Sequence, residues 1–195
     1  MIMKSTTYYV SSLNGNDNND GLTPETAFLT LDKVNSLQIN PGDKILLEYG
    51  SVFNNQFLHL KNCGSIDGEA IEIAPYGEEG RMPFINTNGE GVWHQDYGTK
   101  LDFGGHVYKG DVSSSVLLYD VENIVIHDIE IANKEEFTTP EAYSDPDKRD
   151  RTGVAVVAQN RGTLHSITLK NLFVHDVNGN VYNKHMNNGG IYMTA

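Results

Sequence analysis

Four side chains able to move a proton or hold a metal bracket one late insertion. His175 and Asp176 precede the stretch VNGNVYNKHMNNGG, and Lys184 and His185 lie within it. An imidazole beside a carboxylate can serve as a general base, and either group can contact a cation or a sugar hydroxyl. The same residues fit a second reading, in which His175 and Asp176 close a strand and bond its turn while Lys184 and His185 are solvated. A second candidate lies at 145–151, where Lys148, Arg149 and Arg151 alternate with acids. Arginine can grip a uronate carboxylate through paired N–H donors, whereas a self-paired surface loop would use the same charges. In GVWHQDYGTK, Trp93 and Tyr97 offer aromatic faces on which a sugar ring can stack, or with which an end of the fold can be covered.

Composition narrows the classes of function. Acids outnumber bases 26 to 14, a net charge of -12, which disfavours nucleic acid and anionic membrane surfaces as partners. No run approaches the roughly 18 apolar residues of a membrane span, and MIMKSTTYYV has no apolar signal core. The single Cys63 rules out an intrachain disulfide framework. The loop from Asn14 to Gly21 is rich in Asn, Asp and Gly, but set against the calcium-loop order its twelfth position falls on Ala27, where a bidentate Glu is needed. Turn chemistry is therefore the expected role of that loop.

The elements that must position these residues show themselves as a repeat. NIVIHDIEIAN, from Asn123, overlays SITLKNLFVHD, from Ser166, with Ile124 on Ile167, Ile126 on Leu169, Asp128 on Asn171, Ile129 on Leu172 and Ile131 on Val174. The hydrophobic phase reverses at the same place in both copies, so a straight strand would expose half of these residues. Two short strands joined by a corner at His127-Asp128 and at Lys170-Asn171 keep them all inward, since Asp and Asn tolerate the left-handed region. A further strand accompanies each unit in SVLLYD, GVAVVA and GGIYMTA, with Gly153 and Gly190 in matching places. TLDKVNSL predicts one short amphipathic helix over Thr30 to Leu37. These features predict an all-β fold, a parallel β-helix (solenoid) with a short N-terminal capping helix, and right-handedness follows only from the resemblance described below. The expected organisation is one domain over 1–195, with cap and first strands at 1–50 and coils at 51–195. Because GGIYMTA reads as the first strand of an unfinished rung, the chain is expected to be the N-terminal part of a longer protein.

YYVSSLNGNDNNDGLTPETAFLTLDKV, followed by NPGDKILLEYGSVF and AIEIAPYGEEGRMPFI, resembles the opening of secreted bacterial right-handed parallel β-helix proteins of the polysaccharide lyase and glycoside hydrolase type. GVAVVAQNRGTLHSITLKNLFVHDVNG is similar to the coils of such proteins. The resemblance implies a carbohydrate-active protein that degrades an acidic polysaccharide, lyase slightly ahead of hydrolase, with either Ca²⁺ or no cofactor, the uronate carboxylate being neutralised by Ca²⁺ or by Arg, with a polysaccharide or oligosaccharide as partner, and with a secreted, periplasmic or cell-surface location. A noncatalytic glycan-binding or attachment module is the alternative. The resemblance also implies substrate along the outer face of the first-strand sheet, whose outward residues read as Leu117, Ala155, Val157 and Tyr192. Of these, Tyr192 alone has a group suited to proton transfer or sugar contact.

Overall fold

Period-two apolar runs bounded by Asn, Asp and Gly form the strands, because alternate side chains of a strand point to one face. The computed structural model describes residues 5–96, 109–134, 150–178 and 189–194. Its strands are β1 (Thr7–Val10), β2 (Lys44–Glu48), β3 (Val52–Asn54), β4 (Leu58–Lys61), β5 (Ile71–Tyr76), β6 (Phe84–Asn86), β7 (Val92–Asp96), β8 (Lys109–Tyr119), β9 (Ile124–His127), β10 (Glu130–Asn133), β11 (Asp150–Val157), β12 (Ile167–Lys170), β13 (Phe173–Val177) and β14 (Gly189–Thr194). A 3-10 turn at Pro24–Thr26 and the helix α1 (Leu31–Asn35) are the helical elements among the described residues.

Three sheets result. Sheet A runs β1-β2-β5-β9-β12, sheet B runs β13-β10-β6-β3, and sheet C runs β14-β11-β8-β4. Register stacks like on like: Ile45, Ile73, Ile126 and Leu169 succeed one another across sheet A. Phe53, Ile85, Ile131 and Val174 do so across sheet B, and Leu60, Leu118, Val156 and Met193 across sheet C. Except for the exposed Met193 at the end of its row, these residues meet in one hydrophobic core. Gly153 is required where sheets B and C approach, since a Cβ there would lie 2.6 Å from both the Gly190 carbonyl oxygen and Val174 Cγ1.

The expected right-handed parallel β-helix is corrected by this topology. The strands divide into three separate hydrogen-bonded sheets rather than one closed solenoid, and β7 joins β8 in an antiparallel pair. The described residues are thus mostly β, in several parallel sheets with almost no helix. A sequence repeat specifies which residues stack in register and where the Asp128 and Asn171 corners fall, but not how the longer connections between sheets run. The stretch around Trp93, irregular in its sequence pattern, supplies the antiparallel strand.

At the N-terminal end, α1 is shorter than the predicted span and packs Leu31 and Val34 into the core. Thr30 does not cap it with its side chain. Instead the Leu31 N–H donates to Gln56 Oε1 at 2.9 Å, while the Leu29 and Thr30 N–H groups donate to Asp17 Oδ1 at 2.9 and 3.0 Å. Asp20 accepts from the Leu22 N–H and the Thr26 hydroxyl, and these two bonds, the backbone one foremost, hold its pKa below the ordinary value. The acids of this loop are thereby engaged in its own turns.

Both phase reversals are corners. Asp128 and Asn171 adopt φ of 57° and 49°, each between two short strands, and the Asn171 amide donates to the Asp128 carboxylate one strand spacing away. A β-branched residue there is strained, by about 1–3 kcal/mol, whereas Gly is not. Asn171→Val should therefore lower stability by roughly 1–3 kcal/mol in urea unfolding and Asn171→Gly by distinctly less. Equal losses would assign the corner's stability to the Asn171–Asp128 bond rather than to backbone conformation.

Candidate functional site

On the outer face of sheet C, register aligns His59, Leu117, Ala155 and Tyr192 in one row and Lys61, Tyr119, Val157 and Thr194 in the next. Leu117, Ala155 and Val157 are at most 1% exposed, because Trp93 and Val112 pack over them with Tyr119 alongside. Trp93 is itself 6% exposed, meets Tyr119 edge-on at 6.3 Å, and donates its indole N–H to Ser114 Oγ at 2.7 Å. Stacking a sugar on Trp93 would require this packing to open. Tyr192 is partly buried beside Ala155.

Beneath Trp93 the start of sheet C is polar and closed. Ser114 Oγ lies 2.6 Å from Thr152 Oγ1, and the Asn133 amide donates to the Ser113 and Thr152 carbonyls while its oxygen accepts from the Gly89 N–H. Arg151, expected as a carboxylate grip, is 7% exposed and donates from Nη1 to the Lys134 carbonyl at 2.9 Å. Its guanidinium occupies the space above Gly89, where a Cβ would lie 2.5 Å from Nη2. Tyr97, Lys148, Arg149, Lys184 and His185 lie outside the described residues.

His175 and Asp176 lie near the end of β13 on the outer face of sheet B. The His175 ring lies 3.0 Å from Asp176 through Nδ1 and 3.2 Å from Glu130 through Nε2, and it stacks on Phe173 and Phe84. Arg81 pairs with the same Glu130 at 3.2 Å. An equivalent arrangement recurs at the end of β9, where His127 contacts Asp128 through Nδ1 and Glu72 through Nε2. In each case a strand-end His is bridged to a left-handed Asp after it and to a Glu diagonally across the neighbouring strand. The His127 bond, then that of Asn171, holds the Asp128 pKa below its ordinary value. Lys44, opposed by partial burial and aided by His127, does the same for Glu72. Hydrolysis of a glycosidic bond needs two carboxyl groups with the sugar between them. In these two clusters an imidazole fills that space, which suits a clamp between neighbouring strands.

A residue not foreseen from the sequence is His59. In FLHLK it is a lone outward residue between inward Leu58 and Leu60, without motif or partner in sequence. Its Nε2 lies 2.8 Å from the Ser114 carbonyl, which can only accept, so the proton sits on Nε2 and Nδ1 is the free acceptor. Burial, partly opposed by that carbonyl and aided by Lys61, lowers its pKa to about 4. Asn35 ties α1 to this strand, accepting from the His59 N–H at 2.8 Å and donating to the Phe57 carbonyl at 2.9 Å. Among the described residues no group of three or more His, Cys, Asp or Glu side chains is arranged to hold a metal ion. No described helix is long and apolar enough to cross a membrane.

No protein-family model matches the chain. Its relatives are glycoside hydrolases. The chain is 42% identical to a lacto-N-biosidase of Bifidobacterium longum subsp. longum, over 97% of this chain and 13% of that protein. Two crystal structures of a GH136 lacto-N-biosidase from Eubacterium ramulus, native and selenomethionine derivative, superpose with a TM-score of 0.87 at 55% identity, covering 96% of this chain and 30% of theirs. The chain thus spans less than a third of the length of the relatives it matches. A lyase acting on acidic polysaccharide finds no support among them.

The neutral His59 makes a pH dependence predictable. An unfolded histidine takes up its proton near pH 6.5 and folded His59 only near 4, so stability is full above pH 6.5 and falls between these values. Up to about 3 kcal/mol is lost over that window through this one residue. His59→Gln retains a donor for the Ser114 carbonyl but does not titrate, so its urea midpoint should fall less than that of the native protein between pH 7 and pH 4.5. Equal falls would show that His59 is not the group responsible.

Proposed function

We propose that the protein carrying this chain is a glycoside hydrolase of the lacto-N-biosidase type, acting on a neutral oligosaccharide and releasing a disaccharide. The observation that carries this reading is the 55% identity, with a TM-score of 0.87, to the Eubacterium ramulus enzyme over 96% of the chain. The stacked rows of sheets A, B and C supply a stiff scaffold, and outward side chains and connecting segments supply the sugar contacts, the usual division of labour between scaffold and loops. A lyase must neutralise a uronate carboxylate, by Arg or by Ca²⁺, before removing the adjacent proton. A neutral oligosaccharide has no such carboxylate, and Arg151 is turned to a backbone carbonyl. Hydrolysis instead needs a carboxylic acid to protonate the leaving oxygen and a second carboxylate as nucleophile or base.

The test uses the intact protein with a chromogenic β-lacto-N-bioside and, separately, with polygalacturonate with and without calcium. Release of the chromophore together with the free disaccharide is expected, with no unsaturated uronate from the acidic polymer. Unsaturated product, or failure to cleave the disaccharide linkage while other glycosides are cleaved, would overturn the proposal.

A further inference from the structure

Between α1 and the edge strand β4 lies a cleft of about 420 Å³ whose lining includes Gln38, Phe57, His59, Lys61, Asn62 and Val92. Its volume falls within the range of small-ligand sites. We propose that this cleft binds an uncharged pyranose ring, which stacks on Phe57 and donates a hydroxyl to His59 Nδ1.

Four features converge on that ligand. The His59 ring is fixed by the Ser114 carbonyl on one side and by Phe57 at 4.4 Å between ring centres, which leaves Nδ1 as an acceptor of set direction. The side-chain ends of Gln38, Lys61 and Asn62 make no hydrogen bond or ion pair with other described residues, so amide donors, amide acceptors and an ammonium line the same cleft. Phe57 and Val92, the latter 43% exposed, add the apolar surface that the C–H face of a sugar requires. No carboxylate is among the described residues lining the cleft in a protein of net charge -12, so nothing described there favours a cation, and a single lysine is a weak basis for a polyanion. Donors and acceptors beside an apolar surface suit a polyhydroxyl ring best. The strand–helix ties through Asn35 hold the cleft open without a ligand, so little ordering is needed on binding.

This inference rests on the reading that the protein handles neutral oligosaccharides, and its test is independent of turnover. Galactose and N-acetylglucosamine are titrated into the intact protein and followed by saturation-transfer NMR and calorimetry. Saturable binding on the order of millimolar is expected. Val92→Trp fills the cleft from its exposed rim, and His59→Phe keeps a ring but removes the acceptor. Each should weaken binding at least tenfold while near-ultraviolet circular dichroism stays native, and Val92→Trp decides alone if His59→Phe unfolds. Absence of saturable binding, or binding unchanged in a folded Val92→Trp variant, overturns the assignment. Disaccharide release persisting alongside either result would overturn the cleft while leaving the hydrolase reading intact.

Discussion

Parallel pairing in fixed register is the constraint on which the rest of the structure depends. Apart from β7, the strands lie beside counterparts from the neighbouring unit, so many inward positions become rows of like apolar residues, such as Ile45, Ile73, Ile126 and Leu169. A slip of one residue would turn such a row to solvent. The chain changes direction between sheets through single residues in the left-handed region, chiefly Asn and Asp, which bear that conformation with little strain. The polar corners and the apolar rows are therefore one device, since a corner is what lets both flanking strands face inward.

Charge is organised by the same stacking. Side chains one strand spacing apart must bond or repel, and in an acidic protein the acids need partners. Glu72 meets Lys44 and His127, and Glu130 meets Arg81 and His175. Asp120, fully buried with φ of 55°, shows the buried form of the same solution. Burial alone would raise its pKa, but the Asn160 and Gln159 N–H groups and the Asn160 amide outweigh that and hold it below the ordinary value. A carboxylate accepting several N–H bonds stays charged and pins the loop after β11 to the end of β8.

The candidate residues separate along the same lines. His175 and Asp176, singled out because they flank a late insertion, lie together near a strand end, yet the contacts they make recur at His127 and Asp128. Trp93 and Arg151 were drawn to a sugar by their residue types alone, and the structure buries both against Ser114 and Lys134 respectively. His59 carried no signal because its neighbours across the strand, Asn35 from α1 and Ser114 from β8, are distant in sequence.

What the sequence by itself determined is local and periodic. The 43-residue offset between the copies appears unchanged in the pairing of Ile124 with Ile167, and the corners fall on Asp128 and Asn171, because side-chain parity and left-handed tolerance are properties of single residues. The link to carbohydrate-active proteins was legible in the same segments, whereas the choice of hydrolase over lyase was not. Only the tertiary structure decided that the strands divide into three sheets, that β7 pairs antiparallel with β8 and brings Trp93 onto Leu117 and Ala155, and that a neutral histidine lines a cleft beside α1. Each of these depends on which distant segments meet, and parity along one strand carries no information about what packs against its outer face.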